Sequence, residues 1–498
     1  MPIDTDDPYS PGWWLQRLST ELHNRRVGRQ GTRRYTRRGV EPARIRPGLQ
    51  LLDDYLRGDP PLRQDIHEGW AAPFRQFLRM GRMNIAPKLV SATANRMGVR
   101  GFRTSAANDE LGDREAEMLM RRNMLKLRAR EVHDGMLGLG AAYTIVTPPD
   151  AHRDWSLITA ESALECITAH DPATGRTLAG LKMFRDDWDS TDFAYLFLPG
   201  ELYVARCDVP SSTLFREGPF GLSDRWGWDF DRFDDVPGNR VAMVRFRNKD
   251  GLSEVEGHLD TLDRINDKLF NEWWIGKIQA FRQRALEMPE DEDGVEYDGT
   301  EVDLTDPANL DPETLAGIFT SAPDAMWQLP KGAKIWESKE ANIQQLSTSI
   351  KNELQWLAFT ASKPLHLITP DAANGSAEGA ALMREEHSYD IEDRRDRADG
   401  SWAETLSLAF EFQNDAERAD IARIEAMWGP LARHSMSDMA DAAAKAKGIL
   451  PWEAIMTDLF QYPPADVDDR LRPLRARDLI FGGIPPAGDA SADSSPAG

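Results

Sequence analysis

Two runs of apolar residues at helical spacing enclose a segment without positive charge, and this arrangement constrains the fold more than any other feature. The first run steps by threes and fours from Leu252 to Trp273, and the second steps from Ile343 to Ala361. Between them, residues 285–330 contain thirteen Asp and Glu but no Lys or Arg. Apolar side chains at this spacing share one face of a helix. The pattern predicts two long helices, the first starting after Gly251, that flank an acidic insert.

A third long helix is predicted after a loop. Lys363 precedes Pro364, and a residue before proline disfavours helical backbone, so the second helix should end there. Turn-forming residues follow as far as Gly379, and a helix of densely mixed charge is predicted from Glu378 to Phe412. Helix, acidic insert, helix, loop and helix is therefore the expected order.

The residues before these helices predict a mixed α/β region. Leu49 begins a short helical pattern that Gly58 stops, and Asp113 is placed to cap a helix that runs to about Leu137. Apolar alternation at residues 141–145 predicts a buried strand, and Pro199-Gly200 predicts a bend between two strands. The expected fold class is α+β.

A basic segment near the N-terminus contrasts with the acidity of the chain as a whole. The 498 residues include 60 Lys and Arg against 82 Asp and Glu, a formal net charge of -22. Such a protein is not expected to coat nucleic acid non-specifically, because that requires concentrated positive charge. Residues 17–46 nevertheless contain ten arginines. This basic arm is either a solvated, partly disordered extension or a contact for nucleic acid or an acidic neighbouring subunit, and the sequence leaves both open.

The sequence offers no support for a disulfide scaffold, a membrane span or secretion. Its two cysteines, Cys166 and Cys207, lack metal-site spacing. The longest apolar window, residues 135–149, is too short to span a bilayer, and the first residues are acidic rather than basic. A reducing cytoplasm is the expected site of folding.

Motifs for common chemistries are absent from the sequence. It contains no G-x-S-x-G, no phosphate-binding P-loop and no H-E-x-x-H. An EF-hand centred on Gly294 would place Pro289 at the first ligand position, so calcium binding is not expected. His170, Asp171 and Asn374 lie in polar, turn-like surroundings. We predict no catalytic residue, no cofactor and no metal.

Several segments, taken in order, resemble the portal protein family of tailed bacteriophages, in particular the siphophage type of phages with high-GC hosts. The resemblance covers about Leu49 to Leu474. Its marks are LLDDYLRGDPPL, NIAPKLVSATANRMGVRGF, HDGMLGLGAAYTIV, AHDPATGR and RVAMVRFRN, followed by helix, insert, helix, loop and helix. Each mark alone is weak, and their common order makes the resemblance specific.

The resemblance implies a non-enzymatic ring, usually dodecameric, at one vertex of a capsid. Double-stranded DNA would be packaged and ejected through its channel. The implied partners are further copies of the chain, a terminase, a head-tail adaptor, and the major capsid and scaffold proteins, with no membrane. The implied location is the virion, after assembly in the host cytoplasm.

The resemblance also divides the chain by position into an elongated subunit. It implies a basic arm (1–48), an α/β wing (49–247), a first stem helix (248–283), an acidic clip (284–340), a second stem helix (341–362), a tunnel loop (363–377), a long wing helix (378–414), wing and crown helices (415–474) and a flexible tail (475–498).

Three sets of site residues follow from these positions. The residues of the tunnel loop that would face DNA are Lys363, His366, Asp371, Asn374, Gly375 and Ser376. The clip residues that would dock the motor or adaptor are Glu290, Asp291, Glu292 and Asp293. The residues that would pair charges between subunits are Arg384, Glu385, Arg394, Arg395 and Arg397. A bland surface loop and a solvated charged helix are the alternatives for the first and third sets.

Two other functions fit parts of the sequence. A different capsid or neck component would share the acidity and the self-association, but it would not need paired helices around an acidic insert. A metal-dependent hydrolase or nuclease would use scattered carboxylates with magnesium, and it would show a compact carboxylate site and metal-dependent turnover.

Overall fold

A computed structural model gives the fold of the chain. The residues it describes are 3–28, 34–36, 39–41, 46–61, 79–104, 106, 112–186, 188, 191–207, 226–229, 234–280, 284–287, 334–337, 343–368, 377–431, 436–447, 449–460, 462, 467 and 471–481. The chain divides into two compact units, a larger one formed by residues 1–266 with 351–498 and a smaller one formed by residues 267–350.

Helices and strands alternate irregularly along the chain, which confirms the α+β class. The helices are α1 (Pro11–Val27), α2 (Leu49–Arg57), α3 (Ala86–Ala94), α4 (Arg114–Arg122), α5 (Leu125–Leu139), α6 (Leu259–Ala280), α7 (Ile343–Thr360), α8 (Leu365–Ile368), α9 (Ala377–Phe412), α10 (Met436–Ala446), α11 (Trp452–Ala454) and α12 (Arg472–Phe481). The strands are β1 (Arg34–Thr36), β2 (Gly39–Glu41), β3 (Val99–Arg103), β4 (Ala141–Thr147), β5 (Leu157–Ser162), β6 (Cys166–His170), β7 (Thr177–Asp186), β8 (Thr191–Leu198), β9 (Glu201–Cys207), β10 (Trp226–Trp228), β11 (Asp234–Asp235), β12 (Met243–Arg247), β13 (Arg284–Glu287), β14 (Lys334–Glu337) and β15 (Glu425–Trp428).

The largest sheet is antiparallel and has the order β10-β9-β8-β7-β6, with β11 beside β9. The predicted bend at Pro199-Gly200 joins β8 to β9, and Leu198 pairs with Glu201 across it. Gly200 has a φ of 80°, a backbone conformation that glycine adopts without steric cost. Cys166 and Cys207 are both buried in this sheet as free thiols.

Helix α1 packs on this sheet, so the first part of the basic arm is not the solvated extension that was one of its two interpretations. Ser10 caps its first turn by accepting a hydrogen bond from the backbone N–H of Trp13. Leu15, Leu18 and Leu22 are at most 4% exposed and belong to one core with apolar residues of β6 to β9. These leucines recur at helical spacing between the arginines, so the segment is amphipathic. Only the arginines of this segment entered the sequence-based prediction, which missed the apolar stripe between them.

A second sheet, β12-β4-β5, packs against helices α5 and α9. Asp113 caps α4 as predicted, by accepting hydrogen bonds from the backbone N–H groups of Glu115 and Ala116. The single helix predicted to run to Leu137 is instead two helices. Buried Asn123 ends the first of them: its side chain donates a hydrogen bond to the carbonyl of Ser156, just before β5, and accepts one from the N–H of Ile158 on β5. Met124 then turns the chain with a φ of 50°.

Helix α9 confirms the third predicted helix. Its 36 residues correspond to a length of about 54 Å at 1.5 Å per residue. Trp402, which is 1% exposed, packs its ring at 4.8 Å from the ring of Phe246 on β12 and at 6.2 Å from Phe102 on β3. The helix therefore joins the core that holds β12, β4 and the β3–β15 pair.

The first of the two flanking helices begins later than its apolar pattern suggested. Residues 249–258 form two short 3₁₀ turns, and α6 starts at Leu259 rather than after Gly251. Asp250 and Gly251 both have positive φ, which a regular helix does not accommodate. These turns separate β12 from α6.

The smaller unit contains the end of α6, the start of α7 and the strands β13 and β14. Within it, Lys268 donates a hydrogen bond to Ser349 at 2.8 Å, so the two helix segments lie side by side. β13 and β14 pair antiparallel, with Arg284 opposite Glu337 and Glu287 opposite Lys334. The chain on either side of the acidic insert is thus brought together. No helix among the described residues is long and apolar enough to cross a membrane.

Candidate functional site

Three charged side chains from distant parts of the sequence meet inside the larger unit: Glu254, Lys363 and Arg394. We call them the ionic cluster. Glu254 follows β12 and precedes α6, Lys363 follows α7, and Arg394 lies in the middle of α9. These are the elements that the sequence resemblance interprets as the stem, the tunnel loop and the long wing helix. The cluster is the point at which they meet.

Glu254 bridges the two cations. Its Oε1 accepts hydrogen bonds from Nε and Nη2 of Arg394 at 3.2 and 3.1 Å, and its Oε2 lies 3.4 Å from Nζ of Lys363. Lys363 also donates to Oγ1 of Thr93 on α3 at 2.6 Å. Two donors from one guanidinium to one carboxylate fix the orientation of both groups.

The ionic cluster is almost completely closed to solvent. Lys363 is 0% exposed, and the side chains of Glu254 and Arg394 are 10% and 9% exposed. Burial alone would raise the pKa of Glu254, but the positive charges of Lys363 and Arg394 lower it below its usual value. Burial lowers the pKa of Lys363, and Glu254 opposes that effect. The carboxylate and the two cations therefore depend on one another for their charged states.

Backbone and side-chain contacts hold Glu254 in place. Its own N–H donates to the carbonyl of Leu137 at 2.9 Å, and the hydroxyl of Ser253 donates to the carbonyl of Gly138 at 2.6 Å. The amide of Asn248 donates to Oε1 of Glu254 at 3.2 Å. The short segment between β12 and α6 is thereby fastened to the end of α5.

Further groups on α9 surround the cluster. Arg394 also donates to Asp390 at 3.2 Å and to Asp393 at 3.0 Å. About two turns before Arg394, Nε2 of His387 lies 3.3 Å from the carbonyl of Ala92 on α3. Burial, and then the charge of Lys363, lowers the pKa of His387 to about 4. His387 is therefore uncharged at neutral pH, which spares the cluster a third positive charge.

The arrangement is suited to holding elements in position rather than to bond-making chemistry. Each charged group of the cluster already has its partners, and no solvent-facing nucleophile or acid lies among the three. Across the described part of the chain, no group of three or more His, Cys, Asp and Glu side chains is arranged to hold a metal ion.

The predicted tunnel-loop residues divide into three cases. Lys363 is buried in the ionic cluster, so the expectation that it faces DNA is corrected: its amine is committed to Glu254 and Thr93. His366 lies on the short helix α8 and is exposed. Asp371, Asn374, Gly375 and Ser376 lie outside the described residues.

The residues predicted to pair charges between subunits also divide. Arg394 and Arg395 are each only 8% exposed and are engaged within the chain, which corrects their assignment. Arg395 donates to the carbonyl of Arg96 at 3.1 Å and lies over the ring of Trp428. Arg397 and Glu385 are exposed, although Arg397 also donates to Asp393 at 2.9 Å, and their role between subunits stays a prediction.

Two other predicted groups lie beyond what the structure describes. The clip residues Glu290, Asp291, Glu292 and Asp293 are outside the described residues, as is the side chain of Arg384, whose backbone belongs to α9. Sequence reasoning missed Glu254 and Thr93. The only local signal was an acidic residue inside the apolar stepping between Leu252 and Val255, where an unpaired charge is costly.

The chain matches no protein-family model and no curated protein. Solved structures do align with most of its length, among them three at 13% sequence identity. A chain from the neck of an empty GTA particle computed with C6 symmetry gives a TM-score of 0.42 over 80% of this chain and 95% of that one. A chain from the virion of a native gene transfer agent (GTA) particle gives 0.39 over 79% and 95%, and a chain from the neck of a native GTA particle computed with C12 symmetry gives 0.38 over 80% and 96%. Likeness at this level establishes neither a family nor a function.

Proposed function

We propose that the protein is the subunit of a portal ring in a virion, through which double-stranded DNA is packaged and later ejected. The observation that carries this proposal is an acidic insert whose two ends are brought together by paired strands and joined to two long helices. Residues 285–330 carry thirteen acids and no Lys or Arg, and strands β13 and β14 pair close to the two ends of this segment. Two long helices, α6 and α7, lead into the segment and out of it.

The charge of the chain supports a conducting role. A channel for a polyanion must not retain it, and every phosphate that a protein neutralises adds affinity by releasing counterions. Subunits of net charge -22, with an insert of thirteen acids and no Lys or Arg, repel DNA instead of binding it. In the proposed ring, the insert contacts the packaging motor and later the head-tail adaptor.

The ionic cluster supports the proposal because it anchors the start of the proposed tunnel loop. It fastens the segment before α6 and the residue after α7 to the long helix α9. The proposed tunnel loop, residues 363–377, therefore begins at a residue that is fixed in the larger unit. A loop that meets moving DNA needs such an anchor, because a force on the loop would otherwise displace the helices behind it.

The proposed partners are further copies of the chain, a separate ATP-driven terminase, a head-tail adaptor, and capsid and scaffold proteins. The ring itself catalyses no reaction in this proposal. The siphophage type follows only from the sequence resemblance. Another structural component of the head or neck would share the acidity and the self-association, and the number and arrangement of subunits distinguish the two.

Mass photometry combined with negative-stain electron microscopy of the purified protein tests the proposal. We expect particles of about a dozen subunits with a central hole. A compact monomer or dimer that persists at high protein concentration and with scaffold protein present would contradict the ring. A nuclease assay across divalent metals would then test the enzymatic alternative, for which metal-dependent turnover is the expected sign.

A further inference from the structure

A cationic groove runs between helix α1 and the adjoining strand β6, and the proposed ring gives it no role. Its cavity has a volume of about 710 Å³. The side chains that matter here are Trp13, Arg17, Arg25, Thr168, His170 and Arg245, which line it. We call it the arginine groove. All of these residues belong to the larger unit.

Positive charge exceeds negative charge in the groove. Arg17, Arg25 and Arg245 line it, and Glu21 is the acid that lines it with them. Glu21 lies 3.6 Å from Nε of Arg25, and the guanidinium of Arg17 lies 5.1 Å from the ring centroid of Trp13. Among the described residues, Arg245 has no Asp or Glu at ion-pair distance. The groove therefore keeps an excess of two positive charges.

Arg245 is the least exposed of these three arginines. It is half-buried on β12, and the groups that act on it electrostatically are the phenol of Tyr143 and the positive charges of Arg247 and Arg25. Burial lowers the pKa of the Arg245 guanidinium from its usual value; the phenol of Tyr143 opposes this effect, and the charges of Arg247 and Arg25 add to it. A half-buried cation among like charges is unfavourable unless an anion joins it. In a chain of net charge -22, this is an unusual local excess of positive charge.

His170 closes the groove as a neutral group. Its Nε2 lies 2.8 Å from the hydroxyl of Thr168, and its Nδ1 lies 3.1 Å from the carbonyl of Gly175. Burial, and then the charge of Arg245, lowers its pKa, so the ring carries no charge at neutral pH. The binding charge of the groove therefore comes from its arginines.

We infer that the arginine groove binds a phosphate-class oxyanion, held by the guanidinium groups of Arg25 and Arg245. Guanidinium groups present paired N–H donors whose geometry matches two oxygens of a phosphate. An excess of two positive charges matches a phosphate dianion. The volume lies within the range of about 300–1,000 Å³ that small-ligand sites occupy. The inference does not depend on the proposed ring.

Calorimetric titration of the full chain at about 0.15 M salt, where long-range surface attraction is screened, tests the inference. The probes are inorganic phosphate, pyrophosphate and a short single-stranded oligonucleotide, with polyglutamate for comparison. We expect saturable binding of pyrophosphate at one site per chain. An oligonucleotide that binds more tightly than pyrophosphate, with the same dependence on the two arginines, would identify a polynucleotide as the source of the phosphate. If the oligonucleotide binds no more tightly than pyrophosphate, the ligand is a small phosphorylated molecule.

Two variants and a control locate the site. Arg245→Gln and Arg25→Gln should each weaken pyrophosphate binding about tenfold, the loss expected when a hydrogen bond to a charged group is removed. Arg103→Gln removes an exposed arginine of β3, which lies outside the groove, and should leave binding unchanged. Arg25 is 41% exposed on the last turn of α1, so its variant decides the question if Arg245→Gln does not fold.

Three results would overturn the inference. The first is no saturable binding of any phosphate probe. The second is the same affinity in the Arg25 and Arg103 variants. The third is binding of polyglutamate without binding of phosphate, which would make the groove a site for an acidic peptide.

Discussion

Glu254 accepts hydrogen bonds from two cations in a place from which water is almost excluded. Removing one member of such a group leaves a buried charge without its partner, and this is more costly than the loss of an ion pair at the surface. The contribution of the ionic cluster to stability should therefore appear most clearly when a single charge is removed.

Lys363→Met should lower the free energy of unfolding by about 3–5 kcal/mol, because the charge of Glu254 then loses one of its two buried cations. Chemical denaturation followed by tryptophan fluorescence measures the change. Arg264→Gln is the matched control, since it breaks an ion pair to Glu353 in which the arginine side chain is 56% exposed. Such a pair contributes about 0–1 kcal/mol. Equal losses in the two variants would contradict the assignment of Lys363 to a buried cluster.

Buried histidines make stability depend on pH. The pKa of His387 lies at about 4 in the folded chain, against 6.5 in the unfolded chain. Between these values the unfolded chain takes up a proton that the folded chain does not, so stability falls as pH falls. Above pH 6.5 the residue has no such effect. His133, fully buried with a pKa of about 3, acts in the same direction.

Replacing His387 should flatten this dependence. In His387→Gln, the slope of the unfolding free energy between pH 6 and 5 should fall by up to about 1.4 kcal/mol per pH unit. Glutamine keeps an N–H that can reach the carbonyl of Ala92. Denaturation curves at several pH values measure the slope, and His152→Gln, in an exposed turn, is the control. An unchanged slope in His387→Gln would show that this histidine titrates normally.

At the scale of single elements, α1 is the helix for which the structure adds most to the sequence analysis, because it is packed rather than solvated. It is an integral part of the core, because its leucine stripe covers the face of the largest sheet. Leu18→Ala should cost about 2–5 kcal/mol of stability, as truncation of a buried leucine does. Gln16→Ala, two residues away on the exposed side, should cost almost nothing. If both variants unfold at the same denaturant concentration as the parent, α1 is a solvated arm after all.

Elements with local signals could be predicted from the sequence. The helix from Leu49 ends at Gly58, whose φ of 80° closes it, and the strand at residues 141–147 follows its apolar alternation. The break at Met124 could not be predicted, because Asn123 imposes it through β5, more than thirty residues away. The length of α9 was predicted correctly, since its mixed charge and its lack of proline are local properties.

The candidate site was less predictable than the fold. Lys363 stands next to turn-forming residues, and its neighbours suggest an exposed position. Its burial depends on Thr93 and Glu254, which lie 270 and 109 residues away along the chain. Arg394 and Arg395 were recognised as charged residues of a helix, but their partners inside the chain become visible only when the fold is known.

At the scale of the whole molecule, an exposed aromatic pair on α7 bears on assembly. Trp356 and Phe359 are 64% and 63% exposed, and their rings meet edge to face at 6.4 Å. Aromatic residues are enriched in the buried cores of protein interfaces. In the proposed ring, we expect this pair to be covered by a neighbouring subunit.

Trp356→Glu and Phe359→Glu should therefore shift the particle mass toward monomers while leaving the thermal unfolding midpoint close to that of the parent. Mass photometry measures the first quantity and scanning fluorimetry the second. Trp188→Glu is the control, because Trp188 is 97% exposed and lies between β7 and β8, away from α7 in the chain. Rings that persist in both α7 variants would place this aromatic pair outside the interface.

Burial of both cysteines allows the chain to be labelled with a fluorophore at one introduced cysteine. Burial raises the pKa of the Cys166 thiol well above its usual value, and neither Cys166 nor Cys207 reaches solvent in the folded chain. Because the thiolate is the reactive form, both should resist maleimide dyes as long as the sheet stays closed. A single cysteine introduced as Trp356→Cys would then carry the fluorophore alone. Slow labelling of the parent chain would in turn report how often its largest sheet opens.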